Sequence, residues 1–589
     1  MSTARLPTGF NIAALLLWLP MLWLLSACAP PSEGRPKQAT RPAVRGWNLL
    51  SNDVNKGEMA IATGRDYAIN HLQLSHHLLM DLKHVREPER LAKTRQLIAA
   101  AREAGIEKVL VWDHALYNLS YYPDTFKTTA GLINLDNPAF WSWVKDDYRS
   151  MLDSLPDLDG IVLTFIETGA HIEDQYSEKW PTESEKLARL VDTLASLFID
   201  ERGLDLFVRT FMYHQAELDA MLGCLGLIRH PGVKVMTKET PHDFFLTHPV
   251  SRFVRNIDKE VLIEFDLGHE YNGQGVIASI LPEITARRWR YYAGLPNVIG
   301  YVARTDRYGD TQNIGRPTEV NLYTLHQMGK DTSLAVRDVV ADFIRQKYGA
   351  KALPHLLPVF LETEEIIGSV FYTLGLHMNS HSRMNFEHQS NYSRHCSGKW
   401  LDPPLATIGH DLDTTMHYWK EVVEYLAPPR FKARYLDQGR PTILFEEVPW
   451  VIDSGWVSPV DRMNEEYLRL VVREKAFGLS KARWALDQVK AAEADMAHPE
   501  DYLELLHLYE RTWLTARLYL AASKSYFGHR TLRQMPANAY VRNTLTEGRK
   551  EMMAVSSAMK EYPFPGPSGQ YSWLGDLEYV ERLYRETIP

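Results

Sequence analysis

The chain has 589 residues, which is enough for two or three domains that each bury a core. Its composition, 45% hydrophobic and 24% charged, is ordinary for a globular protein. A formal net charge of -9 supplies no basic field that would gather nucleic acid, so we expect no nucleic-acid partner.

The first 28 residues have the pattern of a bacterial lipoprotein signal. Arg5 supplies a positive charge, and the apolar run Ile12–Leu25 is short for a membrane-spanning helix. The run ends in Leu25-Ser26-Ala27-Cys28, which resembles a lipobox, whose Cys becomes the acylated first residue. Ala29 follows where inner-membrane lipoproteins commonly carry Asp, so the pattern predicts a lipoprotein of the outer membrane in the bacterial cell envelope. Membrane contact would be through this anchor alone, and an ordinary cleaved signal is the alternative.

After a Pro-rich tether at 29–44, apolar runs alternate with helical patterns such as Glu89–Ala104 and Glu183–Ile199. The predicted strands are Gly46–Leu50, Ile69–Leu74, Lys108–Trp112, Gly160–Phe165, Leu206–Phe211, Val233–Thr237, Val261–Phe265 and Val298–Val302. Apolar strands separated by helices indicate a parallel sheet that is buried on both faces. Eight strands over about 260 residues predict a (β/α)8 barrel at 45–320. A doubly wound open sheet is the alternative, but no glycine-rich phosphate loop follows the first strand.

From about Glu319 onward long helical patterns dominate, and we expect a mainly helical C-terminal domain at 321–589. The predicted helices are Leu322–Tyr348, Pro354–Leu376, Glu465–Met496 and Asp501–Ser525. The apolar stripe of the last helix is typical of a bundle core or of the face of a homodimer. His377–Trp400 is polar and irregular, and forms either a lid over the barrel mouth or a surface loop. Cys224 and Cys396 either form a disulfide or remain free thiols.

Charged residues are concentrated where the predicted strands end, which is where barrel enzymes place their active sites. These residues are Glu167 after the fourth strand, Arg209 and His214 at the fifth, Lys238 and Asp243 after the sixth, His269, Glu270 and Tyr271 after the seventh, and Arg304, Asp306 and Arg307 after the eighth. Glycosidic cleavage needs one carboxylic acid to protonate the leaving oxygen and a second carboxylate across the cleft. Glu167 would stand opposite Glu270, with Asp243 near Glu270. The alternative is that these acids cap helices or lie solvated in loops.

Four short segments follow one another along the barrel: Asp159–Gly169, Val208–His214, Lys238–Phe244 and Ile263–Gly275. In this order they resemble segments of the α-glucuronidases of glycoside hydrolase family 67. Shorter similarities follow at Asn313–Gly315, Glu319–Asn321 and Leu374–Met378, so that the resemblance spans roughly residues 130 to 400.

The resemblance implies a barrel with a helical C-terminal domain and an inverting mechanism. Glu167 would be the general acid, Asp243 and Glu270 would share the activation of water, and Arg209 and Lys238 would bind a uronate carboxylate. We expect further substrate contacts at the same rim from His214, His269, Tyr271, Asp306 and Arg307. The family has an N-terminal accessory domain before the barrel, and we expect none here because the tether leads directly into the first strand. Leu163 and Thr164 stand where the family has a Lys.

The leading hypothesis is therefore an exo-acting hydrolase that removes a uronic acid or a related acidic sugar from an oligosaccharide or polysaccharide. It would need neither a cofactor nor a metal. Inversion would require carboxylates roughly 6.5–9.5 Å apart, whereas retention would require a shorter separation. A retaining glycosidase, a uronate lyase on the same barrel, and a non-catalytic glycan-binding lipoprotein are the alternatives.

Overall fold

Eight parallel strands close into a barrel in the computed structural model. The structure describes residues 42–165, 167–210, 215–240, 243–246, 250–373, 376–377, 379–386, 451–452, 455–456, 464–534 and 538–588. The strands are β1 (Val44–Leu49), β2 (His71–Leu74), β3 (Lys108–His114), β4 (Gly160–Thr164), β5 (Asp205–Thr210), β6 (Val233–Lys238), β7 (Val261–Phe265) and β8 (Val298–Arg304). Each strand pairs in parallel with the next, and β8 pairs with β1 to close the barrel. The eight predicted strands and the barrel are confirmed.

The barrel is filled by side chains, because successive residues of a strand point alternately inward and outward. The inward-facing apolar cluster consists of Leu110, Trp112, Val162, Phe207, Met236, Leu262 and Val302, all buried. Outward-facing residues such as Ile161, Val208 and Ile263 belong to a second, larger core. Both faces of the sheet are therefore covered, which explains why the strands are apolar throughout.

Helices follow most of the strands. They are α1 (Val54–Gly64), α2 (Pro88–Glu103), α3 (Pro138–Leu152), α4 (Glu183–Ala195), α5 (Gln215–Leu227) and α6 (Pro282–Ala293). Thr182 and Glu185 form a capping box that begins α4, and a π-helical turn, Ser196–Glu201, continues it beyond the predicted end. Between β6 and β7 the described residues form only a short 3-10 turn, Arg252–Asn256.

The C-terminal region is helical, as predicted. Its helices are α7 (Glu319–Lys330), α8 (Val336–Lys347), α9 (Leu353–Phe371), α10 (Glu465–Ala491), α11 (Pro499–Gln534), α12 (Ala539–Glu561) and α13 (Asp576–Glu586). The prediction of one helix over Leu322–Tyr348 is wrong. Asp331 accepts a hydrogen bond from the Ser333 amide at 2.8 Å, and this local turn separates α7 from α8. The helix predicted over Pro354–Leu376 ends earlier, at Phe371, because the chain then becomes extended.

Short antiparallel hairpins follow α9. β9 (Tyr372–Thr373) pairs with β10 (Leu376–His377), β11 (Asn379–Ser380) with β12 (Arg383–Met384), and β13 (Val451–Ile452) with β14 (Gly455–Trp456). The β11–β12 hairpin thus lies in the segment predicted as a lid or a surface loop. The rest of that segment from residue 387, Cys396, and the N-terminal segment with Cys28 lie outside the described residues.

The barrel and the C-terminal helices contact each other directly. The Arg511 Nε donates to the Val276 carbonyl at 2.6 Å, and the Ala278 amide donates to the Thr512 hydroxyl at 2.9 Å. Cys224 is buried on α5 and forms no disulfide within the described part of the chain, and burial raises the pKa of its thiol to about 12. No helix that the structure describes is long and apolar enough to cross a membrane.

Candidate active site

A layer of charged side chains lies directly above the apolar barrel interior. Each member follows an inward-facing apolar residue by two positions, so that it points inward as well. These pairs are Phe207 and Arg209 on β5, Met236 and Lys238 on β6, Leu262 and Glu264 on β7, and Val302 and Arg304 on β8. All four charged residues are buried. Because charges at this depth need partners, the layer forms a network of ion pairs.

Glu264 holds two arginines together at the centre of this layer. Its two carboxylate oxygens accept from the Arg209 Nε at 2.7 Å and the Arg304 Nε at 2.8 Å. Burial acts to raise the pKa of Glu264, but the charges of Arg209 and Arg304 outweigh it and lower the pKa. The Arg209 guanidinium also lies 4.5 Å from the centroid of the Trp112 ring. Glu264 thus fixes the position of Arg209, for which the sequence predicted a substrate contact.

Glu270 lies in the loop after β7 and contacts two arginines and one histidine. Arg307 Nη2 and His381 Nδ1 each lie 2.7 Å from its Oε1, and Arg304 Nη1 lies 3.2 Å from its Oε2. Burial acts to raise the pKa of Glu270, but Arg307, His381 and Arg304 outweigh it, so that the pKa falls to about 2. Glu270 is therefore ionised over the whole physiological range.

Asp266 begins the same loop, and its pKa is shifted in the opposite direction from that of Glu270. Its Oδ2 accepts from the Glu270 amide at 2.7 Å, whereas its buried Oδ1 has no hydrogen-bond partner among the described residues. Burial raises the pKa of Asp266 to about 6, with a further contribution from Glu270 that Arg304 and Arg307 oppose. Two neighbouring carboxyl groups are thus driven towards opposite protonation states, an arrangement typical of catalytic sites.

Asp243 is a further buried carboxylate of the rim. Its Oδ1 lies 2.8 Å from Lys238 Nζ and accepts from the Phe244 amide at 3.0 Å, and its Oδ2 accepts from the Tyr271 hydroxyl at 2.5 Å. Lys238 is therefore already paired with a carboxylate of the site. The predicted substrate contact Tyr271 is buried and orients Asp243.

Tyr271 also connects the two carboxylates. Its ring stacks on the His381 ring with centroids 5.4 Å apart, and His381 contacts Glu270. The Phe245 ring also packs against Tyr271, with ring centroids 4.0 Å apart. Asp243 and Glu270 are consequently held by one continuous set of side chains.

Glu167 lies just beyond the end of β4 and is exposed, with a φ of 63°. In the closed strand order, β5 and β6 separate β4 from β7 on one side, and four strands separate them on the other. The ends of β4 and β7 are therefore three strand positions apart around the eight-stranded barrel. The segment after it packs on the loop after β3, where the Ala170 amide donates to the Leu116 carbonyl at 3.1 Å.

The remaining predicted contacts have structural partners. His269 is buried, and its Nε2 accepts from the Asn321 side-chain amide at 2.9 Å, while burial and Arg288 lower the pKa of His269 to about 3. Asp306 accepts from the backbone amides of Leu50 and Tyr308, each at 3.3 Å. Arg307 is buried against Glu270 and against the Tyr308 ring. His214 lies outside the described residues.

Three residues of this network were not singled out from the sequence, namely Glu264, Asp266 and His381, and Arg304 was noted at the rim but given no role. The inward direction of Glu264 and Arg304 could have been predicted from the sequence, because each is a charged residue two positions after an inward-facing apolar residue in a buried strand. His381 could not have been predicted in this way, because it lies 111 residues from Glu270 in a segment without a strand pattern. Among the described residues, no group of three or more His, Cys, Asp or Glu could hold a metal ion.

Two glycoside hydrolases of solved structure are similar to the chain. One is a family 138 glycoside hydrolase that targets pectin rhamnogalacturonan II, with a TM-score of 0.58 and 10% identity, covering 98% of this chain and 72% of that one. Another is a family 115 4-O-methyl-α-glucuronidase with specificity for decorated arabinogalactans, with a TM-score of 0.47 and 10% identity, covering 93% of this chain and 62% of that one. No protein-family model and no curated protein matches the chain. The chain thus shares the fold of a glycoside hydrolase, and its relation to family 67 stays a resemblance.

Proposed function

We propose that the chain is a glycoside hydrolase that uses Glu167 as its proton donor, with Asp243 and Glu270 as the opposing carboxylates. The observation that carries this proposal is the distribution of acids at one end of the barrel. An exposed carboxyl group lies after β4, and the buried carboxyl groups after β6 and β7 include Asp243 and Glu270. Glycosidic cleavage needs an acid and a carboxylate on opposite sides of the bond. The likeness in fold to a glycoside hydrolase supports the same conclusion.

The contacts of the two buried carboxylates favour different tasks for them. Glu270 meets two arginines and one histidine, and a carboxylate with a pKa of about 2 accepts protons poorly. The described contacts of Asp243 include an ion pair with Lys238 and hydrogen bonds from the Tyr271 hydroxyl and the Phe244 amide. We therefore assign the activation of water to Asp243, and assign to Glu270 the fixed negative charge that stabilises an oxocarbenium-like transition state.

The proposed substrate is an oligosaccharide that ends in a uronic acid or a related acidic sugar. The support is the resemblance of the segments that carry Arg209 and Lys238 to segments of the family 67 α-glucuronidases, in which these residues would bind a uronate carboxylate. Both cations are buried where β5 and β6 end, and a guanidinium is well suited to a carboxylate. The enzyme of similar fold that targets pectin rhamnogalacturonan II supports a polysaccharide source.

The test is a panel of matched oligosaccharides that differ only in the terminal sugar, either a uronic acid or the corresponding neutral hexose. We expect release of the uronic acid alone, with the inverted anomer appearing first by NMR. Release of neutral sugars only would contradict the acidic substrate, and initial appearance of the retained anomer would contradict inversion. An unsaturated uronate product would indicate a lyase, and binding without turnover would indicate a glycan-binding protein.

We also propose that the chain is a lipoprotein of the bacterial outer membrane, acylated at Cys28. The sequence Leu25-Ser26-Ala27-Cys28 after an apolar run supports this proposal. Acyl chains hold a protein at a bilayer by burying methylene groups. A Cys28→Ser variant should fail to incorporate a labelled fatty acid and should leave the membrane fraction. Equal labelling of the variant and the wild type would contradict acylation at this residue.

A further inference from the structure

The hairpin of β11 and β12 reaches the active site from outside the barrel. Its two-residue turn consists of His381 and Ser382, whose φ values are 51° and 66°. A turn with positive φ at both positions favours Asn-Gly, because most side chains are strained there. Both residues of the turn therefore adopt a left-handed backbone conformation.

Both side chains of the turn bind Glu270. The His381 Nδ1 lies 2.7 Å from Oε1 of the carboxylate, and the Ser382 hydroxyl donates to the Glu270 carbonyl at 2.7 Å. Because an ionised carboxylate only accepts hydrogen bonds, Nδ1 of His381 carries the hydrogen. The Gly273 amide in turn donates to the Ser382 Oγ at 2.9 Å. One turn thus holds both the backbone and the side chain of Glu270.

The hairpin is itself fixed at several points. The Asn379 side chain donates to the Tyr271 carbonyl at 3.2 Å, and the Arg383 Nη2 donates to the Gln570 carbonyl at 2.7 Å. The Met384 amide donates to the Asp576 carboxyl group at 2.8 Å. The His381 ring is therefore presented from a supported backbone, and its side chain is 40% exposed where that of Glu270 is 9% exposed.

We propose that His381 is a positioning residue for Glu270, so that the C-terminal region completes the active site of the barrel. This inference rests on the proposed function, in which Glu270 supplies a negative charge to the transition state. Arg304 and Arg307 both come from the end of β8 and attract the carboxylate towards that side. A directional hydrogen bond from a separate part of the chain fixes the rotation of the carboxylate as well as its distance.

Two substitutions separate the hydrogen bond from the backbone conformation. His381→Gly and His381→Asn both tolerate a positive φ, and both remove the ring that stacks on Tyr271. Only Asn places an N–H donor at the position of Nδ1. On an aryl uronide, His381→Gly should lose about 10- to 100-fold in kcat, as expected when one hydrogen bond to a charged group is lost. KM should change little, and His381→Asn should recover most of kcat.

Arg383→Gln is the matched control, because it alters the same hairpin without touching Glu270. It should keep the kcat of the wild type, and thermal unfolding should show that all the variants are folded. Equal losses in the Gly and Asn variants, no loss in either, or an equal loss in Arg383→Gln would overturn the positioning role.

A second measurement does not depend on turnover. Long-range 1H–15N spectra of histidine-labelled protein should show His381 protonated at Nδ1, with its signal assigned by its absence from His381→Asn. A wild type that cleaves no glycoside would refute the proposed function, and these spectra would still test the contact with Glu270. Observation of the tautomer protonated only at Nε2 would overturn the contact itself.

Discussion

Replacing Asp266 with Asn should make the protein more stable than the wild type at pH 8 by a margin that is absent at pH 4. Within the part of the chain that the structure describes, Asp266 Oδ1 is buried without a hydrogen-bond partner, and its Oδ2 accepts from the Glu270 amide. Burial raises the pKa of Asp266 from 3.8 to about 6, and the nearby Glu270 contributes to the increase. A shift of about two pKa units corresponds to about 3 kcal/mol.

Because the pKa of Asp266 is raised in the folded protein, Asp266 makes the fold more stable at low pH than at high pH. The folded protein binds the Asp266 proton more tightly than the unfolded chain does, so its contribution to stability is complete below pH ~4. That contribution is lost as the pH rises through about 6, where the buried carboxyl group ionises. Asn keeps the size of the neutral acid and cannot ionise. The stability of Asp266→Asn relative to the wild type should therefore rise by about 3 kcal/mol between pH 4 and pH 8.

The assay is unfolding by urea at five pH values from 4 to 8, followed by tryptophan fluorescence. The measured quantity is the difference in the free energy of unfolding between Asp266→Asn and the wild type at each pH. A difference that is equal at every pH would reflect the new amide alone, so the test is how this difference changes with pH. In a Glu270→Gln background the change should shrink, because the charge that helps to raise the pKa of Asp266 is gone. A difference that stays constant from pH 4 to pH 8 would refute the reasoning.

Three further predictions concern the ion-pair network, the aromatic link and the oligomeric state. Glu264→Gln leaves the charges of Arg209 and Arg304 without their shared partner, and should destabilise the fold by roughly 3–5 kcal/mol in urea unfolding; a loss below about 1 kcal/mol would contradict a buried network. Tyr271→Phe keeps the stack on His381 but loses the hydrogen bond to Asp243, so kcat should fall about 10-fold with little change in KM; an unchanged kcat would contradict the role of Asp243. The predicted homodimer should appear in light scattering as twice the chain mass, and a single-chain mass would refute it.

The strands were predictable because each is a short apolar run buried on both faces, and such runs are visible in the sequence. The ends of helices were less predictable. The break between α7 and α8 depends on a local hydrogen bond of Asp331, and the end of α9 depends on Tyr372 entering a strand. Neither feature alters the hydrophobic period from which helices are predicted.

The candidate site likewise has features that could be predicted from the sequence and features that could not. The positions of Arg209 and Lys238 follow from strand periodicity and from the family resemblance, but their pairing with Glu264 and Asp243 depends on the geometry of the closed barrel. His381 could not be foreseen, since its contact with Glu270 joins residues 111 positions apart. The sequence therefore indicates where charged groups gather, and the fold decides which of them bind each other.

In the proposed mechanism Glu167 donates the proton to the leaving oxygen. The most direct test is how the loss of kcat/KM in Glu167→Gln depends on the leaving group. A general acid matters most when the departing oxygen is basic, as in a sugar, and least when it is a stable phenolate. The variant should lose ~10²–10⁴-fold in kcat/KM on an oligosaccharide and much less on a dinitrophenyl glycoside of the same sugar. An equal loss on both substrates, or no loss on the oligosaccharide, would contradict the assignment of Glu167.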